Sequence, residues 1–237
     1  MRRPALYIRG RIVLGGSHMA ALEQLSKEEL EDDSISSGFF DTETGEFNGY
    51  IEEEHFFHKE LVLLRHAEPS DDGPDPGLSD HGVDQVKNVV SYLSKLNLEQ
   101  FTCKCSPMLR CLQTARIIQK MTGVQFHVDP YLLEPPPFLA YGEQYYIPAR
   151  CEEFPEYEWP YRDGWVIEWI EQQEFNRHVG NVLKFLPCKS IIISHSGFVV
   201  SMARLALCEK TILQSGIPTA SLTHIENREV RCLGEVI

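Results

Sequence analysis

Short apolar runs alternate with polar, turn-forming segments from residue 59 onward, and this pattern predicts alternating strands and helices. The run 61–64 is bounded downstream by the turn-forming residues 69–74, and a second apolar run lies within 190–194. Continuous runs of this length, rich in branched side chains, are typical of strands buried on both faces of a parallel sheet. We therefore expect an α/β fold with these two segments as central strands.

The segments between these strands have the spacing of helices and shorter strands. Ser79 is placed to cap a helix whose apolar residues recur on one face up to Leu93, and Pro107 stands where a second helix begins. The predicted helices cover 79–93, 107–118, 165–185 and 199–207. The shorter predicted strands cover 101–106 and 124–128, followed by a hairpin of 220–225 with 229–233.

Residues 135–165, named the lid segment below, lack a regular apolar pattern and contain several prolines and aromatic residues. A segment of this length without a pattern usually marks a lid or a binding loop. Its basic residues are Arg150 and Arg162, among several glutamates.

The amino-terminal residues differ in composition from the rest of the chain. Residues 1–19 contain four arginines and no acid, and Gly16-Ser17-His18-Met19 resembles the remnant of an expression-vector cleavage site. We exclude them from the fold. Residues 20–58 are predicted to form an acidic arm with a short helix that begins near Ser26. The folded domain is predicted to cover 59–237.

The net charge of −13 is concentrated in the amino-terminal arm, because residues 20–60 alone carry −11 and residues 61–237 carry −6. The chain has no basic stripe that could follow a nucleic-acid backbone, which argues against a nucleic-acid partner. No apolar run approaches about eighteen residues, so no membrane-spanning helix is predicted.

Seven cysteines, an odd number, lie mostly in apolar segments, as buried reduced thiols do. Cys103 and Cys105 have no second pair at zinc-site spacing, so we interpret them as structural. Reduced thiols and the absence of a secretory signal predict a cytoplasmic protein.

Candidate catalytic residues follow the two central strands. Arg65 and His66 end the first strand and His195 follows the second, and the carboxyl ends of parallel strands meet at one edge of a sheet. Arg110, in the first turn of the helix after Pro107, is expected to face the same edge. Arginines near a helix amino terminus favour an anion, and guanidinium groups suit phosphate oxygens in particular. An imidazole beside a bound phosphate is a candidate nucleophile.

Four segments together resemble the histidine phosphatase superfamily, also called phosphoglycerate-mutase-like. They are Leu64-Arg65-His66-Ala67-Glu68, Leu78 to Gln85, Ser106 to Ala115, and His195-Ser196-Gly197. Each segment alone is weak evidence for the family, but the four in this order and spacing are specific. The resemblance covers about residues 60–237. It implies a three-layer α/β/α sandwich with a mostly parallel central sheet, and a catalytic domain over 59–237.

The resemblance also implies roles for the candidate residues. His66 would be the phosphorylated nucleophile, and Glu134 would be the proton donor. The substrate phosphate would be bound by Arg65, Arg110 and His195. Neither a metal nor a cofactor is implied. The chain would then be a histidine acid phosphatase-type phosphoric monoester hydrolase, acting on a phosphorylated small molecule or a phosphoprotein.

Several alternatives stay open at this point. Glu143 is the alternative to Glu134 as proton donor. Ala67 replaces the glycine that usually follows the nucleophile in the family, and would be strained where the backbone required a positive φ.

A phosphoglycerate mutase-like phosphotransferase would use the same pocket, although only 60 residues separate Glu134 from His195, which favours hydrolysis. A catalytically quiet phospholigand-binding or scaffold module would need no nucleophile. A metal hydrolase is disfavoured, because the arginine beside the nucleophile would repel a cation.

Overall fold

The computed structural model describes residues 58–134, 144–160, 162, 164–168, 172–207 and 217–236. The arm predicted for residues 20–58, apart from His58, and the alternative proton donor Glu143 lie outside these ranges. The strands are β1 Glu60–Arg65, β2 Thr102–Cys105, β3 Phe126–Val128, β4 Gln144–Ile147, β5 Trp165–Glu168, β6 Lys189–Ser194, β7 Ser221–Glu226 and β8 Glu229–Val236. The α-helices are α1 Asp80–Leu93, α2 Leu109–Thr122, α3 Gln172–Phe185 and α4 Ser196–Leu207.

One mixed sheet contains six of these strands, in the order β3-β2-β6-β1-β7-β8. The first four of this order run parallel to one another, whereas β7 pairs antiparallel with both β1 and β8. Asn227 and Arg228 join β7 to β8 with positive φ angles, as a tight hairpin turn of this hand requires. The mostly parallel central sheet expected from the sequence is therefore confirmed.

Helices cover both faces of the sheet. Val62 and Leu64 of β1 pack in one core with apolar residues of α1 and α2. Leu61 and Leu63 point to the other face and pack in a second core with residues of α3 and α4. This three-layer α/β/α arrangement explains why the run is continuously apolar, since neither of its faces meets water.

The helices begin and end where side chains or glycines satisfy their terminal backbone groups. Ser79 caps α1, because its Oγ accepts from the N–H of Gly82 at 3.0 Å. Helix α2 begins at Leu109 rather than at Pro107, and Gly123 ends it in a left-handed conformation with a φ of 79°. The starts of α1 and α2 therefore both lie at the carboxyl edge of the sheet.

Two predictions for the region around the lid segment are wrong. Residues 144–147 and 165–168 form the antiparallel pair β4-β5, where the sequence analysis expected irregular structure and the start of a helix. The third helix begins at Gln172 instead of near Trp165. Trp165 and Ile167 are buried while Val166 is half-buried, which is the alternation of a strand. Aromatic and branched residues favour a strand here, and the partner strand is distant in sequence.

Within the described ranges, no helix is both long and apolar enough to cross a membrane. In the same ranges, no three or more His, Cys, Asp or Glu side chains are grouped so as to hold a metal ion. The cysteines described there are free thiols, most of them buried, as the sequence analysis expected.

Candidate active site

The ends of β1 and β6 place two histidines at the carboxyl edge of the sheet. The strands pair in parallel with Arg65 opposite Ser194, so His66 and His195 follow at the same level. The backbone N–H of His66 donates to the carbonyl of Ser194 at 2.9 Å. The two imidazole centroids are 5.2 Å apart. At this separation, both rings can contact one small ligand.

Arg110, the second residue of α2, contacts both imidazoles. Its Nε donates to His66 Nε2 at 3.1 Å, and its Nη2 donates to His195 Nδ1 at 3.1 Å. A guanidinium group has no acceptor, so both imidazole nitrogens are acceptors in these contacts. The structure therefore brings together the predicted nucleophile, His66, and two of the residues predicted to bind phosphate, Arg110 and His195.

Arg65 and Glu134 belong to the same group of charges. The Nη1 of Arg65 donates to the carbonyl of Ile217. Burial lowers the pKa of Arg65, while Glu134 raises it and Arg110 lowers it further. Arg65 directly precedes His66 in the chain, and Glu134 contacts Phe198, three residues after His195, so both predicted residues lie beside the imidazole pair.

His66 is held in the neutral form that a nucleophile needs. Only 5% of it is exposed, and burial, followed by the charge of Arg110, lowers the pKa of His66 to about 3. Its Nδ1 lies 2.8 Å from the carbonyl oxygen of Ala67, which can only accept, so Nδ1 carries the proton. Nε2 therefore carries the lone pair, which accepts from Arg110 here and can attack an electrophile once that hydrogen bond is released.

His195 is oriented by a serine that the sequence analysis included only as part of a motif. Burial, Arg110 and His66 hold the pKa of His195 well below its usual value, and the ring is 3% exposed. Since Nδ1 accepts from Arg110, Nε2 carries the proton and donates to Ser106 Oγ at 2.9 Å. The N–H of Ser106 donates to the carbonyl of Ile193 at 3.0 Å, which fixes the serine on the neighbouring strand.

Glu134 is held against the first turn of α4. It follows a short 3-10 helix, Pro130–Leu132, and its Oε2 accepts from the N–H of Phe198 in the first turn of α4 at 3.1 Å. Burial raises the pKa of Glu134, whereas the N–H groups of Phe198 and Gly197 and the nearby arginines oppose this rise. A Cβ at Gly197 would lie 2.9 Å from Glu134 Oε1, so the glycine leaves room for the carboxyl group.

Helices α1 and α2 hold the loop 66–68 that carries His66. The N–H of Ala67 donates to Thr114 Oγ1 at 3.2 Å, and the N–H of Glu68 donates to Gln85 Oε1 at 2.8 Å. Ser79 Oγ in turn donates to Glu68 Oε1 at 2.9 Å. The segment from Leu78 to Gln85 therefore positions the loop of the candidate nucleophile.

Two small residues border this loop. A Cβ at Gly82 would lie 2.2 Å from the carbonyl oxygen of Glu68, so only glycine allows α1 to approach this closely. Ala67 does not have a positive φ; among the described non-glycine residues, Ala220, Asn227 and Arg228 do. The alanine that replaces the usual glycine therefore causes no backbone strain.

Comparisons with known proteins cover most of the described domain. A family model, Histidine phosphatase superfamily (branch 1), matches residues 61–233. The structure of mycobacterial glucosyl-3-phosphoglycerate phosphatase is similar with a TM-score of 0.52 and 15% identity, covering 74% of this chain and 98% of that one. For an Escherichia coli protein described as a candidate alpha-ribazole-5'-P phosphatase, the TM-score is 0.51 and the identity 15%, covering 75% and 96%. A comparison with curated proteins gave no match. At this identity, the solved structures show a shared fold.

Proposed function

The chain belongs to the histidine phosphatase superfamily, branch 1, and from this premise we propose that it is a metal-independent phosphatase that hydrolyses phosphomonoesters. The observation that supports this most directly is the contact between neutral, buried His66 and Arg110. A nucleophilic lone pair held beside a cation is arranged to receive a phosphate group, whose charge would otherwise repel a nucleophile.

In this proposal the phosphate binds between Arg65, Arg110 and the two imidazoles. The Arg110 donors that now contact His66 and His195 turn to phosphate oxygens, which accept more strongly because they are charged. A bound dianion raises the pKa of His195, so this ring takes up a proton and donates to an oxygen. The substrate is a phosphorylated small molecule or a phosphoprotein.

The first chemical step transfers the phosphoryl group to the enzyme. His66 Nε2 attacks phosphorus in line with the leaving oxygen, so that a P–N bond forms as the P–O ester bond breaks. Glu134 in its protonated form gives its proton to the leaving oxygen, and the alcohol departs. The raised pKa of Glu134 supports this role, because it keeps more of the carboxyl group protonated.

The second step regenerates the enzyme. Glu134, now ionised, removes a proton from a water molecule that attacks phosphorus, and the P–N bond to His66 breaks with release of inorganic phosphate. Transfer to a second substrate hydroxyl in place of water would make the protein a phosphotransferase of the mutase type. The same pocket serves both reactions, so product analysis with an added alcohol acceptor distinguishes them.

The test is hydrolysis of p-nitrophenyl phosphate, with and without EDTA, by the wild type, His66→Ala and His127→Ala. His127 is a partly exposed histidine paired with Glu158, and it serves as the matched control. We expect turnover that resists EDTA, is unchanged in His127→Ala and falls by at least about 10³-fold in His66→Ala. An acid-labile phosphoenzyme should form in the wild type and be missing from His66→Ala.

Turnover that persists in His66→Ala would contradict the role of His66, and turnover abolished by EDTA would contradict the metal-free reaction. A well-folded wild type that binds phosphate but hydrolyses none of a panel of natural monoesters would favour the phospholigand-binding module.

A further inference from the structure

Asp75 is a buried carboxylate that links the phosphate pocket to the lid segment. Its side chain is 8% exposed and lies in the loop between β1 and α1. Its Oδ1 lies 3.7 Å from Nη1 of Arg110, and its Oδ2 lies 3.4 Å from Nη2 of Arg150. The carboxylate therefore stands between an arginine of the pocket and an arginine of the lid segment.

Asp75 also replaces the missing cap of α2. Met108, at the N-cap position, makes no side-chain cap hydrogen bond. Asp75 Oδ1 instead accepts from the N–H of Leu109, the first residue of the helix, at 3.0 Å. The carboxylate is thus fixed by a backbone contact, and its position relative to Arg110 is set by the fold.

Arg150 has a second carboxylate partner. Its Nη1 donates to both oxygens of Glu153, at 2.8 Å and 3.0 Å. The side chain of Arg150 is 19% exposed, whereas that of Glu153 is 56% exposed. Asp75 and Glu153 therefore place two carboxylates around Arg150. Because Asp75 also pairs with Arg110, the two carboxylates and two arginines of this ion-pair group balance when all are ionised.

Arg150 lies in the lid segment three residues after the end of β4. Asp75 joins it to the pocket, because its two carboxylate oxygens face Arg110 and Arg150. A substrate that extends from the phosphate pocket past Asp75 towards Arg150 would meet this ion-pair group.

We propose that Asp75 and Glu153 determine substrate specificity by occupying Arg150, so that the site selects phosphomonoesters of uncharged or cationic alcohols. This inference rests on the proposed phosphate pocket. Arg65 and Arg110 bind the phosphate itself, but a carboxylate or second phosphate on the leaving group meets an arginine that is already paired with two carboxylates. Binding such a group requires that an existing ion pair be broken or that like charges approach.

The test compares the binding of two phosphonates that differ in one charge, 4-carboxybenzylphosphonate and its methyl carboxylate ester. Their C–P bonds are not cleaved by a phosphatase, so calorimetric titration measures the pocket without turnover. We expect the wild type to bind the carboxylate compound at least about fivefold more weakly than the ester, as one unfavourable charge interaction near a protein surface allows.

Glu153→Gln frees one side of Arg150 and should reduce this ratio to about two or less, through tighter binding of the carboxylate compound. Asp75→Asn, which keeps an acceptor for the N–H of Leu109, should change the ratio in the same direction. Glu152→Gln is the matched control, since it removes the same charge from the neighbouring exposed residue, and it should leave the ratio unchanged.

Equal binding of the two compounds by the wild type would overturn the specificity proposal and leave the proposed function intact. An equal change in Glu153→Gln and Glu152→Gln would also overturn it, because the effect would then come from overall charge. Absence of binding of both compounds to the wild type would overturn the phosphate pocket and, with it, both proposals.

Discussion

Among the residues that the structure describes, buried histidines lie in two regions, and their neighbours differ in charge. At the carboxyl edge of the sheet, His66 and His195 face the guanidinium of Arg110. Within β7, His224 lies between the hydroxyl of Tyr92, 2.9 Å from Nδ1, and Oε1 of Glu60, 3.3 Å from Nε2. In each of the three rings, burial is the main reason why the pKa is lowered.

The difference shows that burial alone does not identify a nucleophilic histidine. Glu60 opposes the lowered pKa of His224, and the Tyr92 hydroxyl contacts Nδ1, whereas Nε2 faces the Glu60 carboxylate without forming a hydrogen bond. Arg110 instead lowers the pKa of His66 further and contacts a nitrogen that keeps its lone pair. The cation beside His66 attracts an anionic ligand, whereas the charged group beside His224 is a carboxylate, which repels one.

Replacing each histidine by asparagine gives the largest expected contrast. His66→Asn should lower kcat for p-nitrophenyl phosphate by at least about 10³-fold, since asparagine cannot form the phosphoenzyme. His224→Asn should leave kcat of the folded protein unchanged and lower the free energy of unfolding by about 1–3 kcal/mol, because buried partners lose a hydrogen bond. Steady-state kinetics and urea unfolding of both variants measure this. A loss of kcat in His224→Asn equal to that in His66→Asn would remove the distinction between the two regions.

The proposed role of Glu134 as proton donor predicts that the effect of its removal depends on the leaving group. Glu134→Gln should lower kcat/KM for an alkyl phosphate by about 10²–10⁴-fold, because an alkoxide leaves poorly without a proton. The loss should be smaller for p-nitrophenyl phosphate, because its phenolate leaves without being protonated. This difference is measured under conditions in which the first chemical step limits the rate. Equal losses for the two substrates would argue against a proton donor.

The pH profile tests the same residue independently. The general acid must be protonated, so kcat/KM for the alkyl phosphate should fall as the pH rises through the raised pKa of Glu134. The pH profile of Glu134→Gln should still show the ionisation of the substrate, but it should lack this fall. Because the pKa of His66 is lowered to about 3, protonation of the nucleophile should not limit activity above about pH 4.

Alanine substitutions at Gly82 and Gly123 distinguish a glycine that supports the loop 66–68 from one that contributes only to stability. Gly82→Ala should cost about 1–3 kcal/mol, because the added methyl overlaps the carbonyl of Glu68, and it should also lower kcat by displacing the loop of His66. Gly123→Ala has no atom within 4 Å of the added carbon, but it places alanine at a φ of 79°. This variant should cost about 1–2 kcal/mol and leave kcat unchanged. Equal kcat values in the two variants would show that Gly82 does not support the catalytic loop.

Much of the fold was predictable because its signals are local. The continuous apolar run of β1, the cap at Ser79 and the turn before β8 each lie within a few neighbouring residues. The approach of His66 to His195 also followed from the sequence, since two parallel strands ending in histidine have one carboxyl edge.

The rest depends on contacts between distant segments. Strand β5 was mistaken for the start of a helix, because its partner β4 lies on the far side of an irregular stretch. The contacts of Asp75 with Leu109 and Arg150 join three separate parts of the chain, and no periodicity indicates them. Ser106 belongs to a motif, but its contact with His195 exists only once β2 and β6 are paired.

The smallest expected effect lies in the region that lacks catalytic residues. Tyr92→Phe removes the hydroxyl beside Nδ1 of His224, and we expect the free energy of unfolding to fall by about 1 kcal/mol with no change in kcat. The cost should be smaller in a His224→Asn background, because the partner of the hydroxyl is then gone. Urea unfolding of the two single variants and the double variant measures this coupling. Full additivity would show that the hydroxyl does not stabilise His224, and a fall in kcat would connect this region to the active site.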